Sequence, residues 1–290
     1  MSTGVTVVIP TLNRGDYLVD CLQDLLAQDH QPLEILVVDQ SDSVPKAVKD
    51  LVDENSDIIT YHSVTFRGLP LARNYGWQNA RYDAIVYVDD DIRCGTNLVS
   101  EHLRALQMPN VGAVAGRIKE RGRTVDPTKR AGGFNYWTAT PDRAFSQDGE
   151  YDVESVAGCN FSTWRHVAKE VGGIEEALNV GAALYEETEY SLRVKQAGYR
   201  IYYNDKAYLD HLVSPTGGCR VDQVKPYVWA LAHNRTIMIR RHLKWYQQPT
   251  AFLVVLRLGL AYAFHYRQLG AIEQMLSGGF TGFKTIEREL

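Results

Sequence analysis

The sequence predicts an α/β protein in which a mostly parallel sheet is covered by helices on both faces. Strand-length runs rich in Val and Ile alternate with segments of helical periodicity through the first 118 residues, which is typical of parallel strands joined by crossover helices. The strand runs contain few polar positions, as expected when both faces are buried. With 290 residues, 45% of them hydrophobic and 23% charged, the chain is long enough for one large domain or two small ones.

The elements of the first part follow from periodicity and from the residues that end each run. Pro10 ends the first apolar run, and Asp16 is placed to cap the following helix, which carries Leu18, Cys21 and Leu22 on one face. We expect strands over residues 5–10, 33–39, 58–64, 84–89 and 111–118. We expect helices over residues 16–28, 45–55, 70–80 and 97–107.

The pattern changes after residue 118. Residues 119–151 are rich in Arg, Gly, Asp and Pro, and we expect a long irregular segment there, with Phe134, Tyr136 and Trp137 embedded in it. After this segment we expect a strand over 153–163, a helix over 185–197 and a strand over 199–203.

The end of the chain carries a basic and aromatic cluster, followed by an apolar run. The cluster comprises Arg240, Arg241, His242, Lys244, Trp245 and Tyr246. The run over 251–266 is interrupted by Arg257 and His265, so it is too short and too charged for a transmembrane helix. We expect the region 240–270 to pack on the main domain or on a second copy, with a peripheral membrane contact as the alternative. The sequence thus predicts a main domain over 1–245 and a helical extension over 246–290.

Charge and cysteine content argue against several classes of protein. The net charge of -4 and the pI near 6.1 do not fit a nucleic-acid-binding protein, which usually carries a basic excess. The four cysteines are far apart and form no C-x-x-C pair, so we expect neither a zinc site nor a disulfide framework. Because the N-terminus lacks a basic and apolar leader, we expect no signal peptide and a cytoplasmic protein, with the inner membrane face as a peripheral alternative.

Three adjacent carboxylates lie at the end of the fourth expected strand. Asp89, Asp90 and Asp91 repel one another, and their partial burial is costly unless a cation lies beside them. Mg²⁺ and Mn²⁺ prefer such oxygen ligands and bridge readily to phosphate. The alternative is a solvated acidic turn. Because the first two strands also end in polar residues, at 11–13 and 39–42, and parallel sheets bind ligands at the carboxyl ends of their strands, we favour a metal–diphosphate site.

A second group of acids opens the helix expected over 185–197. Glu186, Glu187 and Glu189 lie in its first turn, where the helix dipole favours negative charge, and Glu189 is spaced to pair with Arg193. Three acids exceed what capping requires, so we expect one of them to take part in chemistry.

Taken together, these segments resemble an inverting family-2 glycosyltransferase of the GT-A fold over about residues 5–211. The matching blocks, in the family's order, are Val-Val-Ile-Pro-Thr-Leu-Asn-Arg at 7–14, the strand that ends at Asp39, Ala-Arg-Asn at 72–74, Val-Asp-Asp-Asp at 88–91, Gly-Cys-Asn-Phe-Ser at 158–162, Val-Gly-Gly-Ile at 171–174, and Glu-Glu-Thr-Glu at 186–189 with Arg193. Each block alone is a weak signal, whereas their shared order is specific. The implied fold is Rossmann-like, with a mostly parallel central sheet flanked by helices and a C-terminal helical tail.

The resemblance implies roles for the matched residues. Glu187, the second acid of its motif, is implied as the catalytic base, and Asp91 and His211 are implied as ligands of Mn²⁺ or Mg²⁺. The alternative for His211 is a partly buried, hydrogen-bonded histidine. Residues implied to bind the nucleotide sugar are Pro10, Thr11, Asn13, Asp39, Arg73, Asp89 and Asp90. The implied halves are 1–118 for the nucleotide sugar and 119–245 for the acceptor and the chemistry.

Three residues are expected on the acceptor side, namely Trp137, Asn160 and Glu186. The alternative for the aromatic residues at 134–137 is a satellite core under the loop.

The sequence departs from the family pattern at three places. The turn Asp39-Gln40-Ser41-Asp42 is one residue shorter than the usual D-x-G-S-x-D, which alters the turn that supports the nucleotide base. Glu187 stands where Asp is commoner and reaches one methylene further, and Ile92 replaces an acid that often follows the D-x-D. None of these changes removes a required functional group.

The implied reaction moves a sugar from a nucleotide-diphosphate sugar, UDP- or dTDP-linked, to a saccharide or lipid-linked acceptor in polysaccharide, glycolipid or glycoconjugate synthesis. A metal would neutralise the leaving diphosphate, a carboxylate would take the proton of the acceptor hydroxyl, and a single displacement would invert the anomeric centre. Two alternatives stay open: a sugar-phosphate nucleotidyltransferase, although no glycine-rich phosphate loop follows the first strand, and a non-catalytic nucleotide-sugar-binding protein. A dehydrogenase fits less well because G-x-G-x-x-G is absent there.

Overall fold

The computed structural model describes residues 3–124, 126, 128–219, 221 and 223–287. Its strands are β1 (Val5–Thr11), β2 (Leu33–Asp39), β3 (Ile59–Ser63), β4 (Ala84–Val88), β5 (Ile92–Cys94), β6 (Val111–Glu120), β7 (Ala131–Asn135), β8 (Thr140–Arg143), β9 (Glu150–Val153), β10 (Asn160–Trp164) and β11 (Arg200–His211). Its helices are α1 (Gly15–Leu26), α2 (Lys46–Glu54), α3 (Leu69–Asn79), α4 (Leu98–Leu106), α5 (Arg165–Glu170), α6 (Glu186–Gln196), α7 (Val224–His242), α8 (Gln248–His265) and α9 (Gly270–Glu287).

The central sheet has a parallel half, as the sequence predicts, and a half that also contains antiparallel pairs. Its strand order is β3-β2-β1-β4-β10-β6-β11-β5, and β9 pairs with β11. The four strands β1 to β4 run parallel, and every residue of β1, β2 and β4 is buried. Since Thr11 pairs with Asp39 at the last step of the β1–β2 ladder, the carboxyl ends of these strands meet at one edge of the sheet.

The expected elements of the first 118 residues are confirmed, and no end differs from its expected position by more than two residues. These strands could be predicted because each is an uninterrupted apolar run, as is typical of strands that are buried on both faces of a sheet. Strand β5, a three-residue pairing with the end of β11, was not expected because so short a run has no periodicity to detect.

The second half departs further from expectation. The segment 119–151 is not wholly irregular, because β7 and β8 form a hairpin within it and β9 adds a strand to the sheet. Residues 154–159 are not a strand, and strand β10 begins only at Asn160. Strand β11 is longer than expected, since it pairs with β6 on both sides of a register shift between Asn204 and Tyr208.

The C-terminal helical region begins with α7 at Val224, so this helix lies within the main domain expected over 1–245. Helix α7 is buried on nearly all sides, including polar residues such as His233 and Asn234, so it lacks the amphipathic pattern by which a helix is read from sequence. It packs closely on α9, where a Cβ added at Gly278 or Gly282 would lie 2.2 or 2.6 Å from a carbonyl oxygen of α7. Within the described residues, no helix is long and apolar enough to span a membrane.

Candidate active site

The Asp89–Asp91 turn lies at the carboxyl edge of the sheet, but its three side chains have different surroundings. Asp90 is buried and accepts hydrogen bonds from Thr11 Oγ1 at 2.7 Å and from Arg14 Nη1 at 3.0 Å. Burial raises the pKa of Asp90 to about 6, even though Arg14 and Thr11 favour its ionised form. Asp90 therefore ties the first strand to the acidic turn, although it also borders the adjacent cavity.

Asp91 is buried and has one engaged and one open oxygen. Its Oδ2 accepts a hydrogen bond from the Ser214 amide at 2.7 Å and lies 3.3 Å from Arg14 Nη1. Its Oδ1 lies 3.3 Å from His211 Nε2 and makes no hydrogen bond to any part of the chain that the structure describes. Burial alone would raise the pKa of Asp91, but His211, the Ser214 amide and Arg14 together hold it at about 2.

Asp89 is the most exposed of the three, with 27% of its side chain accessible. Its Oδ1 lies 3.4 Å from Arg73 Nη2, and its Oδ2 lies 3.9 Å from His211 Nε2. Ligand atoms of Asp89, His211 and Cys159 all lie within 4.8 Å of one another. Together with the open oxygen of Asp91, this is a set of carboxylate and imidazole donors that fits a divalent cation.

His211 is partly buried beside this cluster, and its Nδ1 lies 3.8 Å from Glu120 Oε1 on the other side of the ring. Burial alone would lower its pKa, but Asp91 and Asp89 raise the pKa of His211 above its usual value. The two carboxylates thus favour the protonated form of the His211 imidazole.

A groove with two joined compartments lies over this cluster. The first, of about 450 Å³, is bordered by Pro10, Thr11, Arg14 and all three aspartates. The second, of about 240 Å³, is bordered by Arg73, Cys159, Arg143 and the first two acids of α6. Both compartments are lined by Asp89 and His211, which therefore lie where the two meet.

A third cavity, of about 280 Å³, lies beside the ends of β1 and β2 and brings together Thr11, Asn13 and Asp39. Asp39 accepts hydrogen bonds from the Ser41 amide at 2.7 Å and from the Tyr61 hydroxyl. Asn13 adopts a left-handed conformation, with φ of 56°, and its amide donates to Ser41 Oγ at 2.7 Å. The shortened Asp39–Asp42 turn is thus closed by Ser41.

The first acid of α6 is neutralised inside the protein. Glu186 forms an ion pair with Arg73, and both side chains are buried. Arg73 also donates to the Gly158 carbonyl at 2.9 Å and reaches Asp89, so it joins the opening of α6 to the acidic turn. Tyr185, at φ of 71°, immediately precedes the helix and sets the direction in which its first turn points.

The second acid, Glu187, keeps an open carboxylate. Twelve per cent of its side chain is exposed, and its contact with a cation is a 3.3 Å hydrogen bond that Oε1 accepts from Arg143 Nη2. Its side chain borders the same compartment as Asp89 and His211. Arg143 comes from β8, a strand that the sequence did not predict.

The third acid, Glu189, is fully buried and surrounded by cations. It accepts hydrogen bonds from Arg193 at 2.6 and 2.8 Å, from His242 at 3.1 Å and from Arg241 at 3.3 Å. Burial alone would raise the pKa of Glu189, but His242 and Arg193 hold it at about 2. Arg241 also pairs with Glu175 at 2.5 Å. Two members of the expected basic cluster therefore fasten α7 to α6 and do not form a basic surface.

The expected acceptor-side residues do not come together. Asn160 is fully buried within the sheet, where its amide donates to the carbonyls of Arg117 and Ala207 at 2.9 Å and its oxygen contacts His102. It does not border the cavity, which corrects its expected placement: as the first residue of β10, it is turned into the sheet. Trp137 lies on the β7–β8 hairpin and borders a separate, larger cavity.

Four residues near the groove had no expected role. Arg14 and Ser214 support the acidic turn, Arg143 contacts Glu187, and Cys159 lies beside Asp89 and His211. Arg14 and Cys159 stand within matched sequence blocks and could have been noticed there. No local signal marks Ser214 or Arg143, because each reaches the site from a distant part of the chain.

The chain is similar in sequence to known glycosyltransferases. The chain is 25% identical over 219 residues to glucosyl-dolichyl phosphate glucuronosyltransferase of Haloferax volcanii, covering 73% of this chain and 69% of the relative. It is 25% identical over 207 residues to pre-mycofactocin glycosyltransferase of Mycobacterium tuberculosis, covering 71% of this chain but only 42% of that relative.

Solved structures share the fold. A mannosyltransferase of Pyrobaculum calidifontis in complex with GDP-Man and Mn²⁺ matches with a TM-score of 0.62 at 20% identity, covering 94% of this chain and 73% of that one. GalNAc-T7 with UDP, GalNAc and Mn²⁺ matches with a TM-score of 0.62 at 18% identity, covering 79% of this chain and 47% of that one. The GT-A-like architecture expected from the sequence is thereby confirmed.

The model of glycosyl transferase family 2 matches residues 6–172, more than half of the chain and including both the acidic turn and the Arg73 segment. The similar proteins described above are glycosyltransferases. We therefore set aside the alternatives of a nucleotidyltransferase, a dehydrogenase and a non-catalytic binding protein. The chain belongs to glycosyl transferase family 2 and is a transferase.

Proposed function

We propose that this protein transfers a sugar from a nucleotide-diphosphate sugar to an acceptor hydroxyl, with inversion at the anomeric carbon and with Glu187 as the general base. One observation carries the proposal. Glu187 is the acid of the first turn of α6 that keeps an exposed carboxylate, and it borders the compartment that Asp89 and His211 share with the strand ends.

The donor half of the site is formed by the edge of the parallel sheet. We assign the nucleotide base to the cavity of Thr11, Asn13 and Asp39, and the diphosphate to the neighbouring compartment of Pro10 and the acidic turn. This arrangement follows the general rule that ligands of parallel sheets lie at the carboxyl ends of the strands. UDP- or dTDP-sugars are the proposed donors.

The cation site is proposed at the open oxygen of Asp91, the imidazole of His211 and the carboxylate of Asp89. Mn²⁺ or Mg²⁺ fits this donor set, and the two similar solved structures contain Mn²⁺. When bound, the metal would supply Lewis-acid stabilisation of the leaving diphosphate. Asp90, whose two oxygens are held by Thr11 and Arg14, keeps the turn in place.

Glu187 takes the proton of the acceptor hydroxyl as that hydroxyl attacks the sugar. The hydrogen bond from Arg143 fixes one carboxylate oxygen and leaves the other for the acceptor. Arg73 neutralises Glu186 and holds Asp89 beside the same compartment, so the base and the diphosphate site keep a fixed spacing. A single displacement between them needs no second carboxylate as a nucleophile.

The acceptor is proposed to be a saccharide or a lipid-linked sugar, in polysaccharide, glycolipid or glycoconjugate synthesis. The name of the Haloferax volcanii relative specifies a dolichyl phosphate-linked substrate, which supports the lipid-linked class. Because the chain spans less than half of the mycobacterial relative, that protein's substrate is not carried over.

The C-terminal helices offer a surface for a further contact. Exposed large apolar side chains on α8 and α9 are Leu253, Leu256, Phe264, Leu276 and Phe280. Such a surface supports a contact with a membrane or with a second copy of the chain. Co-sedimentation with anionic vesicles and size-exclusion chromatography distinguish the two. We keep the division into a domain over 1–245 and an extension over 246–290 as a proposal. In this division α7 belongs to the main domain and packs against α8 and α9 of the extension.

The proposed reaction is tested with a panel of nucleotide-diphosphate sugars, measuring binding by calorimetry and slow donor hydrolysis with and without Mn²⁺. We expect binding and hydrolysis of one donor class that are lost when a chelator is added in excess. Full turnover in excess chelator, or absence of Mn²⁺-dependent binding across the panel, would contradict the proposal.

A further inference from the structure

A large open groove lies between the β7–β8 hairpin and the junction of α7 with α8. It measures about 1020 Å³ and is separate from the compartments around Asp89 and Glu187, although Pro141 borders both. Three aromatic residues of the hairpin border it, namely Phe134, Tyr136 and Trp137, and His242 borders it from the helical side. This groove has no part in the chemistry described above.

The indole of Trp137 is held in the groove with much of its surface open. Trp137 is 53% exposed, and its ring centroid lies 5.9 Å from that of Tyr246, which is 44% exposed. The hairpin that carries it is fixed, because Asn135 Oδ1 accepts from the Trp137 amide at 2.9 Å and the buried Arg235 donates to Thr140 Oγ1 at 3.0 Å. An exposed aromatic side chain on a rigid support is typical of a binding surface.

The remaining lining includes polar, hydrogen-bonding side chains as well as Pro141 and Val254. Lys129 and Asp142 lie on the hairpin side, and Lys244 and Gln247 lie on the helical side. A pyranose ring presents apolar C–H faces that pack on aromatic rings, and a rim of hydroxyls that bond to such polar groups. The mixture therefore fits a saccharide, in contrast to the apolar side chains exposed on α8 and α9.

Strand β8 connects the groove to the proposed base. Asp142 borders the groove, Pro141 borders both cavities, and Arg143 donates to Glu187 at 3.3 Å. A chain of sugars lying along β8 would thus present its end to Glu187 while its other residues remain beside Trp137.

We infer that this groove binds the saccharide portion of the acceptor beyond the sugar that reacts, so that the preferred acceptor carries two or more sugars. The inference rests on the proposed function, because it assigns Glu187 to the reacting hydroxyl. Trp137 supplies the stacking surface, and Tyr246, which lies outside the groove lining, packs against the Trp137 ring.

The test uses the full-length protein on an array of defined saccharides of one to six sugars, followed by solution titration of the members that bind. We expect wild-type affinity to rise with chain length and Trp137→Ala to weaken binding of the longer members by about tenfold. Trp245→Ala is the matched control: Trp245 is 82% exposed and does not border the groove, so its loss should leave saccharide binding within about twofold.

Three results would overturn the inference: equal binding by wild type and Trp137→Ala, an equal loss in Trp245→Ala, or no binding to any array member. The same wild-type sample is titrated with the nucleotide-sugar panel and Mn²⁺. Nucleotide binding without saccharide binding would overturn the assignment of the groove as a saccharide site, but it would not contradict the proposed function. Saccharide binding without nucleotide binding would instead contradict the proposed function, because that function requires a nucleotide-sugar donor.

Discussion

Two acidic clusters meet at the groove, one at the end of β4 and one at the start of α6, and they are built in the same way. Asp90 and Glu189 are buried with both oxygens held, by Thr11 and Arg14 in one case and by Arg and His residues in the other. Asp89 and Glu187 keep exposed carboxylates on the shared cavity. Each cluster thus contains an acid whose oxygens are both held inside the protein and an acid that faces the shared cavity.

The two clusters differ in the kind of cation that balances them. Around α6 the balance comes from arginines fixed in the fold, namely Arg73, Arg193 and Arg241. At the strand end, Arg14 and His211 leave one buried oxygen of Asp91 without a hydrogen bond within the described residues. One buried oxygen of Glu186 also lacks a hydrogen bond within the described residues, but Arg73 already forms an ion pair with that carboxylate. The open oxygen of Asp91 faces the imidazole of His211 instead, and this is where we propose that an exchangeable cation binds.

The largest expected effect is on metal-dependent binding. Asp91→Asn replaces one carboxylate oxygen by a donor amide nitrogen and removes the charge that faces His211. We expect Mn²⁺-dependent binding of a nucleoside diphosphate to be lost while the cooperative thermal transition is kept. Calorimetric titration in Mn²⁺ and in chelator measures this. Unchanged Mn²⁺-dependent affinity in the variant would show that the strand-end cluster is not the cation site.

The next largest expected effect is on stability, where we expect Glu189, the buried acid of α6, to contribute more than the partly exposed Glu187. Glu189→Gln leaves Arg193, Arg241 and His242 without their carboxylate, and breaking such a buried pair costs about 3 kcal/mol. Glu187→Gln, the matched control on the same helix turn, should cost less than about 1 kcal/mol because its side chain is partly exposed. Urea unfolding measures both. Equal destabilisation by the two variants would contradict the claim that Glu189, and not Glu187, stabilises the fold.

The stability difference between wild type and Glu189→Gln should depend on pH, and the lowered pKa of Glu189 fixes the direction of this dependence. The pKa of Glu189 is lowered to about 2 from an ordinary value of 4.5, so its contribution to stability is complete above pH 4.5 and declines as the pH falls towards 2. The difference in unfolding free energy between wild type and Glu189→Gln should therefore shrink across that range. A difference that grows with acidification would contradict the assignment.

Much of the donor half could be predicted from sequence, because strand ends and their polar residues are local features. The apolar runs placed β1, β2 and β4 within two residues, and register then brought Thr11, Asp39 and Asp89 to one edge. Asn160 shows the limit: its block was recognised, but the orientation of its side chain depends on where β10 begins. The contact of Arg143 with Glu187 joins positions 44 residues apart and has no sequence signal.

Helix α7 shows a second limit. Its buried polar residues make it look unlike a core helix, and their partners lie on distant segments: Asn234 donates to the carbonyls of Leu178 and Leu184, and Arg235 to that of Thr138. Periodicity cannot reveal a helix whose polar side chains are satisfied inside the protein.

The most direct test compares sugar transfer by Glu187→Gln and Glu186→Gln at saturating donor and Mn²⁺, with donor affinity measured separately. The account predicts that Glu187→Gln lowers kcat by about 10²–10⁴ with donor affinity nearly unchanged, because only proton removal is lost. Glu186→Gln, which removes the buried partner of Arg73, should act mainly through stability and donor affinity. An active Glu187→Gln beside a Glu186→Gln that folds and binds donor but does not turn over would contradict the assignment of the base.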